Sequence, residues 1–160
     1  MTMTLKTFEY RSVAKTTMEQ VLAFHRDPRA IAWLTPPPIF ITIQRDARTS
    51  LASGELDFTL WFALLPVRWT ARHELGPTET SFRDVMARGP MAHWEHQHVF
   101  REVEGGIELS DRLTYEHRTS GFWSIFTRLM FDGLPLRMLF FYRHLRTRQL
   151  APKYTKASAS

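Results

Sequence analysis

Polar and apolar residues alternate from Lys6 to Ser12, with Phe8 and Tyr10 on one side, and this predicts a first β-strand. The period then changes. Met18, Val21, Leu22 and Phe24 recur at helical spacing, and Thr16 and Thr17 precede Glu19 and Gln20 as in a capping box. A second short helix is predicted from Asp27, as cap, and Pro28 to Trp33 and Leu34, where Pro36, Pro37 and Pro38 end it. Strands are then predicted near Ile39 to Arg45, Gly54 to Leu64, Val67 to Leu75, Thr80 to Arg88, His93 to Val103 and Ile107 to Glu116. Breaks such as Gly76-Pro77-Thr78 and Gly105-Gly106 are short enough for antiparallel hairpins. Beyond Ser120 and Gly121, apolar residues at Phe122, Ile125, Phe126, Leu129, Met130, Leu134, Met138, Phe141, Tyr142 and Leu145 predict one long helix to about Gln149, kinked at Gly133 and Pro135. The order of elements predicts an α+β domain whose curved antiparallel β-sheet closes against its C-terminal helix.

Alternation also sorts each strand into faces. One face carries Leu56, Phe58, Leu60 and Phe62, then Val67, Trp69, Ala71 and Leu75, then Phe82 and Met86, then Trp94 and Phe100, and finally Ile107, Leu109 and Leu113. The opposite face is largely polar, as in Arg68, Thr70, Arg72 and Glu74. The apolar face nevertheless includes His73, Asp84, His96, His98, Asp111 and Tyr115. With the shortest hairpin loops, Asp84 falls opposite His96 and His98 falls close to Asp111, whereas a slip of two residues would rearrange both pairs. Three readings stay open: satisfied core hydrogen bonds, the polar floor of a ligand cavity, or a two-histidine, one-carboxylate metal arrangement. The last rests on a spacing common in sheets, and neither metal nor cofactor is assigned.

With 160 residues and 44% hydrophobic composition, the chain is expected to form one domain over residues 1–150. Twelve Phe and five Trp must either pack densely or line an internal space, and the absence of Cys excludes disulfides and thiolate chemistry. The net charge of +5 is local: no acidic residue follows Asp132, whereas Arg137, Arg143, Arg146, Arg148, Lys153 and Lys156 do. Residues 151–160 are expected to be a basic, flexible tail, and this segment suggests peripheral contact with an acidic membrane rather than with nucleic acid. No signal-peptide pattern opens the chain, so a cytoplasmic protein is expected. A Gly-rich phosphate loop, HExxH and GxSxG are all missing, which leaves nucleotide chemistry and serine hydrolysis without support.

Phe82-Arg83-Asp84, Gly89-Pro90-Met91, Trp94-Glu95-His96-Gln97-His98-Val99-Phe100, Gly105-Gly106, Asp111 and Tyr115 together resemble a pattern of the START-like, or SRPBCC, superfamily. That pattern reads F-x-D, G-P-F, W-x-H-x-H-x-F, G-G-T, D and Y, and the likeness extends to Asp27-Pro28 and the triple proline. Met91 and Ile107 stand where Phe and Thr are usual. The resemblance implies a helix-grip fold, with a deep apolar pocket between sheet and C-terminal helix. The superfamily includes lipid-transfer domains, polyketide cyclases and dehydratases, and ring-hydroxylase subunits. No catalytic role transfers to the histidines or aspartates, and the ligand spacing of a ring-hydroxylase metal centre is absent.

The expected function is binding of a hydrophobic small molecule, such as a lipid, isoprenoid, quinone or polyketide-like aromatic. Its walls would be Phe58, Leu60, Phe62, Trp69, Phe82, Met86, Trp94, Phe100, Leu113, Phe126, Met130, Leu134, Met138 and Phe141, with His73, Asp84, His96, His98, Asp111 and Tyr115 orienting the ligand. The alternative is a polyketide cyclase or dehydratase using His96, His98, Asp84, Asp111 and Tyr115 as acids, bases and donors. A monomer and a homodimer are both compatible with the sequence.

Overall fold

The computed structural model describes residues 4–154. The element order is β1 (Lys6–Ala14), α1 (Met18–Arg26), α2 (Ala30–Trp33), β2 (Phe40–Asp46), β3 (Gly54–Phe62), β4 (Leu65–Leu75), β5 (Ser81–Arg88), β6 (His93–Val103), β7 (Gly106–Glu116), α3 (Phe122–Met130), α4 (Gly133–Leu150) and a 3-10 turn over Ala151–Lys153. The strands form one antiparallel sheet in the order β1-β7-β6-β5-β4-β3-β2. Strands β2 to β7 are a meander, and β1 returns to the far edge to pair with β7, so the α1–α2 connection spans the sheet. Gly106, at the start of β7, has φ 142°, and a Cβ there would stand 2.1 Å from the Ala14 carbonyl oxygen. Only glycine lets β7 start this close to the end of β1.

Local chemistry sets the ends of the helices. Thr17 caps α1 by accepting from the Gln20 amide, while the Gln20 side chain accepts from the Thr17 amide, so the predicted box is present. The expected single long helix is instead two. Helix α3 ends before Phe131, and Asp132 starts α4 afresh by accepting from the Gly133 amide at 2.9 Å. Pro135 lies in the first turn of α4, where its missing N–H removes no helical hydrogen bond.

Helix α4 lays Leu136, Phe140, His144 and Thr147 on the sheet, all buried. The main core gathers Leu56, Phe58, Trp69, Trp94, Leu113, Phe131, Leu136 and Phe140 between sheet and helix. Burying each large side chain contributes on the order of 1.5–3 kcal/mol. A separate cluster joins Phe24, Ala30 and Leu34 to Ala151 and Tyr154. This corrects the expectation of a loose segment from residue 151: Ala151 is fully buried and Tyr154 donates to Asp27. The last basic residue named for the tail, Lys156, lies outside the described residues.

Candidate functional site

The predicted strand register holds. Asp84 stands opposite His96, and His98 opposite Asp111. The side-chain hydrogen bonds cross that register, because rings on one face of adjacent strands reach diagonally. His96 Nε2 donates to Asp111 Oδ1 at 2.7 Å, and His98 Nε2 lies 2.9 Å from Asp84 Oδ2. His98 Nδ1 is 3.1 Å from the same Asp111 oxygen, and His96 Nδ1 is 3.6 Å from Asp84 Oδ2. From α4, His144 Nε2 donates to Asp111 Oδ2, while His144 Nδ1 is 2.6 Å from Ser12 Oγ on β1. Phe82 stacks on the His98 ring with centroids 4.3 Å apart, and Phe140 meets His96 edge-on at 5.0 Å.

Burial and charge act in opposite directions on this cluster. Burial would raise both aspartates, but His96 and His98 hold the Asp84 carboxyl below its ordinary range, and His96, His144 and His98 hold Asp111 well below it. Burial, with repulsion from His98, lowers His96. For His98 burial is outweighed by hydrogen bonds to Asp111 and Asp84, which raise it. Burial and the neighbouring His98 take His25 down to about 3. Its Nδ1 donates to the Val21 carbonyl at 2.8 Å, so its Nε2 keeps a lone pair. His73 is lowered by burial, and its Nδ1 is 3.0 Å from the Leu51 carbonyl.

A cavity of about 150 Å³ lies between the sheet and α4. Its apolar walls include Ile31, Leu34, Leu56, Phe58, Leu60, Phe62, Trp69, Phe82, Trp94, Phe131, Leu139 and Phe140, and its polar end holds His25, Arg48, His73, Asp84, His96, His98 and Arg143. Arg48 is engaged by Asp46 at 2.7 Å. The Arg143 guanidinium has no hydrogen bond or ion pair among the described residues, and its surroundings include Asp111 and Asp84 only as more distant charges.

Of the residues expected at the site, Phe58, Leu60, Phe62, Trp69, His73, Phe82, Asp84, Trp94, His96 and His98 line this cavity. Other expected wall residues do not. Leu134, Met138 and Phe141 are 67%, 61% and 54% exposed, because α4 turns its other apolar stripe inward. Met86, Leu113, Phe126 and Met130 belong to the surrounding core. Phe100 and Asp111 border a smaller recess on the α1 side instead. Tyr115 is also displaced from its expected role: its hydroxyl donates to Asp132 at 2.7 Å and ties β7 to the start of α4. Arg143, His144 and Phe140 were missed, although Leu136, Phe140, His144 and Thr147 share one helical face. His25 had no sequence signal beyond following Phe24 on α1.

A seven-stranded antiparallel sheet gripping a C-terminal helix, with short helices after the first strand, is a helix-grip fold. Solved structures share it. Ara h 8.0201 superposes with a TM-score of 0.62 at 10% identity, covering 94% of this chain and 97% of that one. The Zhui aromatase/cyclase from Streptomyces sp. R1128 gives 0.58 at 13% identity, covering 94% and 93%. A nucleoside-diphosphate sugar epimerase from Corynebacterium glutamicum gives 0.64 at 26% identity over 89% of this chain, which spans only 28% of that protein. No protein-family model matches the chain, and no curated protein matches it in sequence. These similarities agree with the START-like resemblance at the level of fold. Among the described residues no helix is long and apolar enough to cross a membrane.

Proposed function

We propose that the protein binds a small apolar molecule carrying one oxygen-bearing polar group, with the apolar part inside the cavity and the polar group at Arg143 and His25. The observation that carries this reading is a cavity of about 150 Å³ with an unpaired guanidinium at one end of otherwise aromatic and aliphatic walls. A cavity of this size accepts roughly one benzene-sized ring, so a longer ligand would extend through the mouth. Arg143 supplies donors, and His25 Nε2 supplies an acceptor. Binding is favoured over cyclase or dehydratase chemistry because both carboxylates are already hydrogen-bonded to histidines, Asp111 to His96 and His144 and Asp84 to His98. Ligand-observed NMR with toluene and benzoate tests it. Both probes should bind, Arg143→Met should weaken benzoate at least tenfold while sparing toluene, and Leu56→Trp should abolish both with an unchanged circular dichroism spectrum. Failure of both probes to bind the native protein would overturn the reading.

A second reading concerns the outside of the same helices. Phe122, Ile125 and Leu129 on α3 and Leu134, Met138 and Phe141 on α4 form exposed apolar stripes. Besides the Arg143 of the cavity the two helices carry Arg128, Arg137, Arg146 and Arg148, and the sequence from Phe122 to Leu150 holds one acidic residue, Asp132, at their junction. That combination of apolar stripe and cationic rim suits an acidic lipid surface.

A further inference from the structure

The protons of the histidine cluster can be assigned from its acceptors. An ionised carboxylate only accepts, so the ring nitrogens bonded to Asp111 must carry hydrogen: His96 Nε2 at 2.7 Å, His98 Nδ1 at 3.1 Å and His144 Nε2. The same rule applies to Asp84: His98 Nε2, at 2.9 Å, carries hydrogen in the metal-free cluster, whereas His96 Nδ1, at 3.6 Å from Asp84 Oδ2, keeps a lone pair. The three donor groups lie within 4.8 Å of one another, so a cation entering between them has to displace only the proton on His98 Nε2.

We propose that Asp84 Oδ2, His96 Nδ1 and His98 Nε2 bind one divalent, zinc-class transition-metal ion, with Asp111 as the outer carboxylate that holds both rings in the ligating tautomer. The spacing suits this assignment. For a metal–ligand bond of about 2.1 Å, neighbouring ligand atoms stand about 3.0 Å apart at right angles and about 3.4 Å apart in a tetrahedron. The distances from Asp84 Oδ2 to the two imidazoles, 2.9 and 3.6 Å, bracket those values. Two imidazoles and a carboxylate, with no thiolate in the chain, form the donor set of zinc-class ions and leave coordination positions free. The outer shell is complete as well: an acceptor shared by both ligating rings, itself held by His144, is the usual second layer of histidine metal sites. Phe82 and Phe140 pin the rings by stacking and edge contact.

All three ligands line the cavity, so the ion's free positions open into it. Charge decides what would fill them. Asp84 and Asp111 are balanced in part by Arg143, and a divalent ion leaves the site about one positive charge in excess. An anionic oxygen, from hydroxide or a carboxylate or enolate ligand, restores neutrality. The metal proposal holds whether or not an apolar molecule occupies the rest of the cavity.

The experiment uses untagged protein, treated with chelator and desalted, titrated with Zn²⁺ by calorimetry and with Co²⁺ by visible absorption. One ion per chain is expected. Asp84→Asn and His98→Gln should each weaken binding at least 100-fold, Asp111→Asn should weaken it about 10- to 100-fold, and His93→Ala should leave it unchanged. So that the test does not depend on folded cluster variants, the wild-type imidazole nitrogens are also followed by NMR. Zn²⁺ should shift His96 Nδ1 and His98 Nε2 but not the rings of His93 and His117. Stoichiometry well below one, shifts confined to His93 or His117, or affinity unaltered in a folded Asp84→Asn protein would each overturn the assignment.

Discussion

Replacing Asp111 with Leu asks whether one buried charge holds the histidine cluster together. Leu keeps the branching of the side chain but offers no acceptor, so His96 Nε2, His98 Nδ1 and His144 Nε2 lose their shared partner. Three hydrogen bonds to a charged group, at about 1.5–3 kcal/mol each, set an upper limit of about 4.5–9 kcal/mol. Part of this returns as ring protons move. His96 Nδ1 and His98 Nε2 lie 3.6 and 2.9 Å from Asp84, and His144 Nδ1 lies 2.6 Å from Ser12 Oγ. The expected loss is about 3–5 kcal/mol, as for removal of one member of a buried ion pair. Asp111→Asn should cost less, about 1–2 kcal/mol: its oxygen still serves His96 and His98, and its amide donates to His144 once that ring turns its proton toward Ser12. Urea unfolding followed by the fluorescence of buried Trp69 and Trp94 measures both. With a slope of about 2 kcal/mol per molar urea, the midpoint should fall by about 2 M for Leu and about 0.5–1 M for Asn. A Leu variant as stable as the native protein would refute the reasoning, because the cluster would then contribute nothing that an apolar side chain does not.

The Asp27 carboxyl is brought from 3.8 down to about 2, first by hydrogen bonds from Arg29, against burial, and then by Tyr154. Its folded-state value lies below its unfolded one, so about 2 kcal/mol of stability is present above pH 4 and lost as pH falls toward 2. Urea midpoints measured from pH 5 to 2 should decline less steeply in Asp27→Asn than in the native protein, and parallel declines would contradict this. For the lipid-surface reading, the native protein should sediment with phosphatidylglycerol vesicles and less so at high salt, whereas replacing Leu134, Met138 and Phe141 together by Glu should release it. Sedimentation indifferent to salt and lipid charge would remove that reading.

Period and turn chemistry carried much of the fold. Alternation placed Phe58, Trp69, Trp94 and His96 on the inner face, and short hairpin loops placed Asp84 opposite His96, because a one-residue slip would turn every apolar side chain to solvent. Capping at Thr17 was equally local, since its hydrogen bonds reach only three residues. Other features needed the folded molecule. Helix α4 is apolar on two sides, with Leu134, Met138 and Phe141 on one and Leu136 and Phe140 on the other, so periodicity alone cannot choose the buried one. The choice follows from the fresh start at Asp132, which sets the rotational phase of the helix and is itself fixed by contacts with Lys6 on β1, Tyr115 on β7 and His117 just beyond β7. That phase also brings Arg143 and His144 over the sheet to meet His25 from α1 and Asp111 from β7. The strand elements and their inner faces were written in the order of residues along the chain. The crossed histidine bonds, the unpaired guanidinium and the cavity beside them arise only where separate elements meet, since hydrogen bonds and charge act through space.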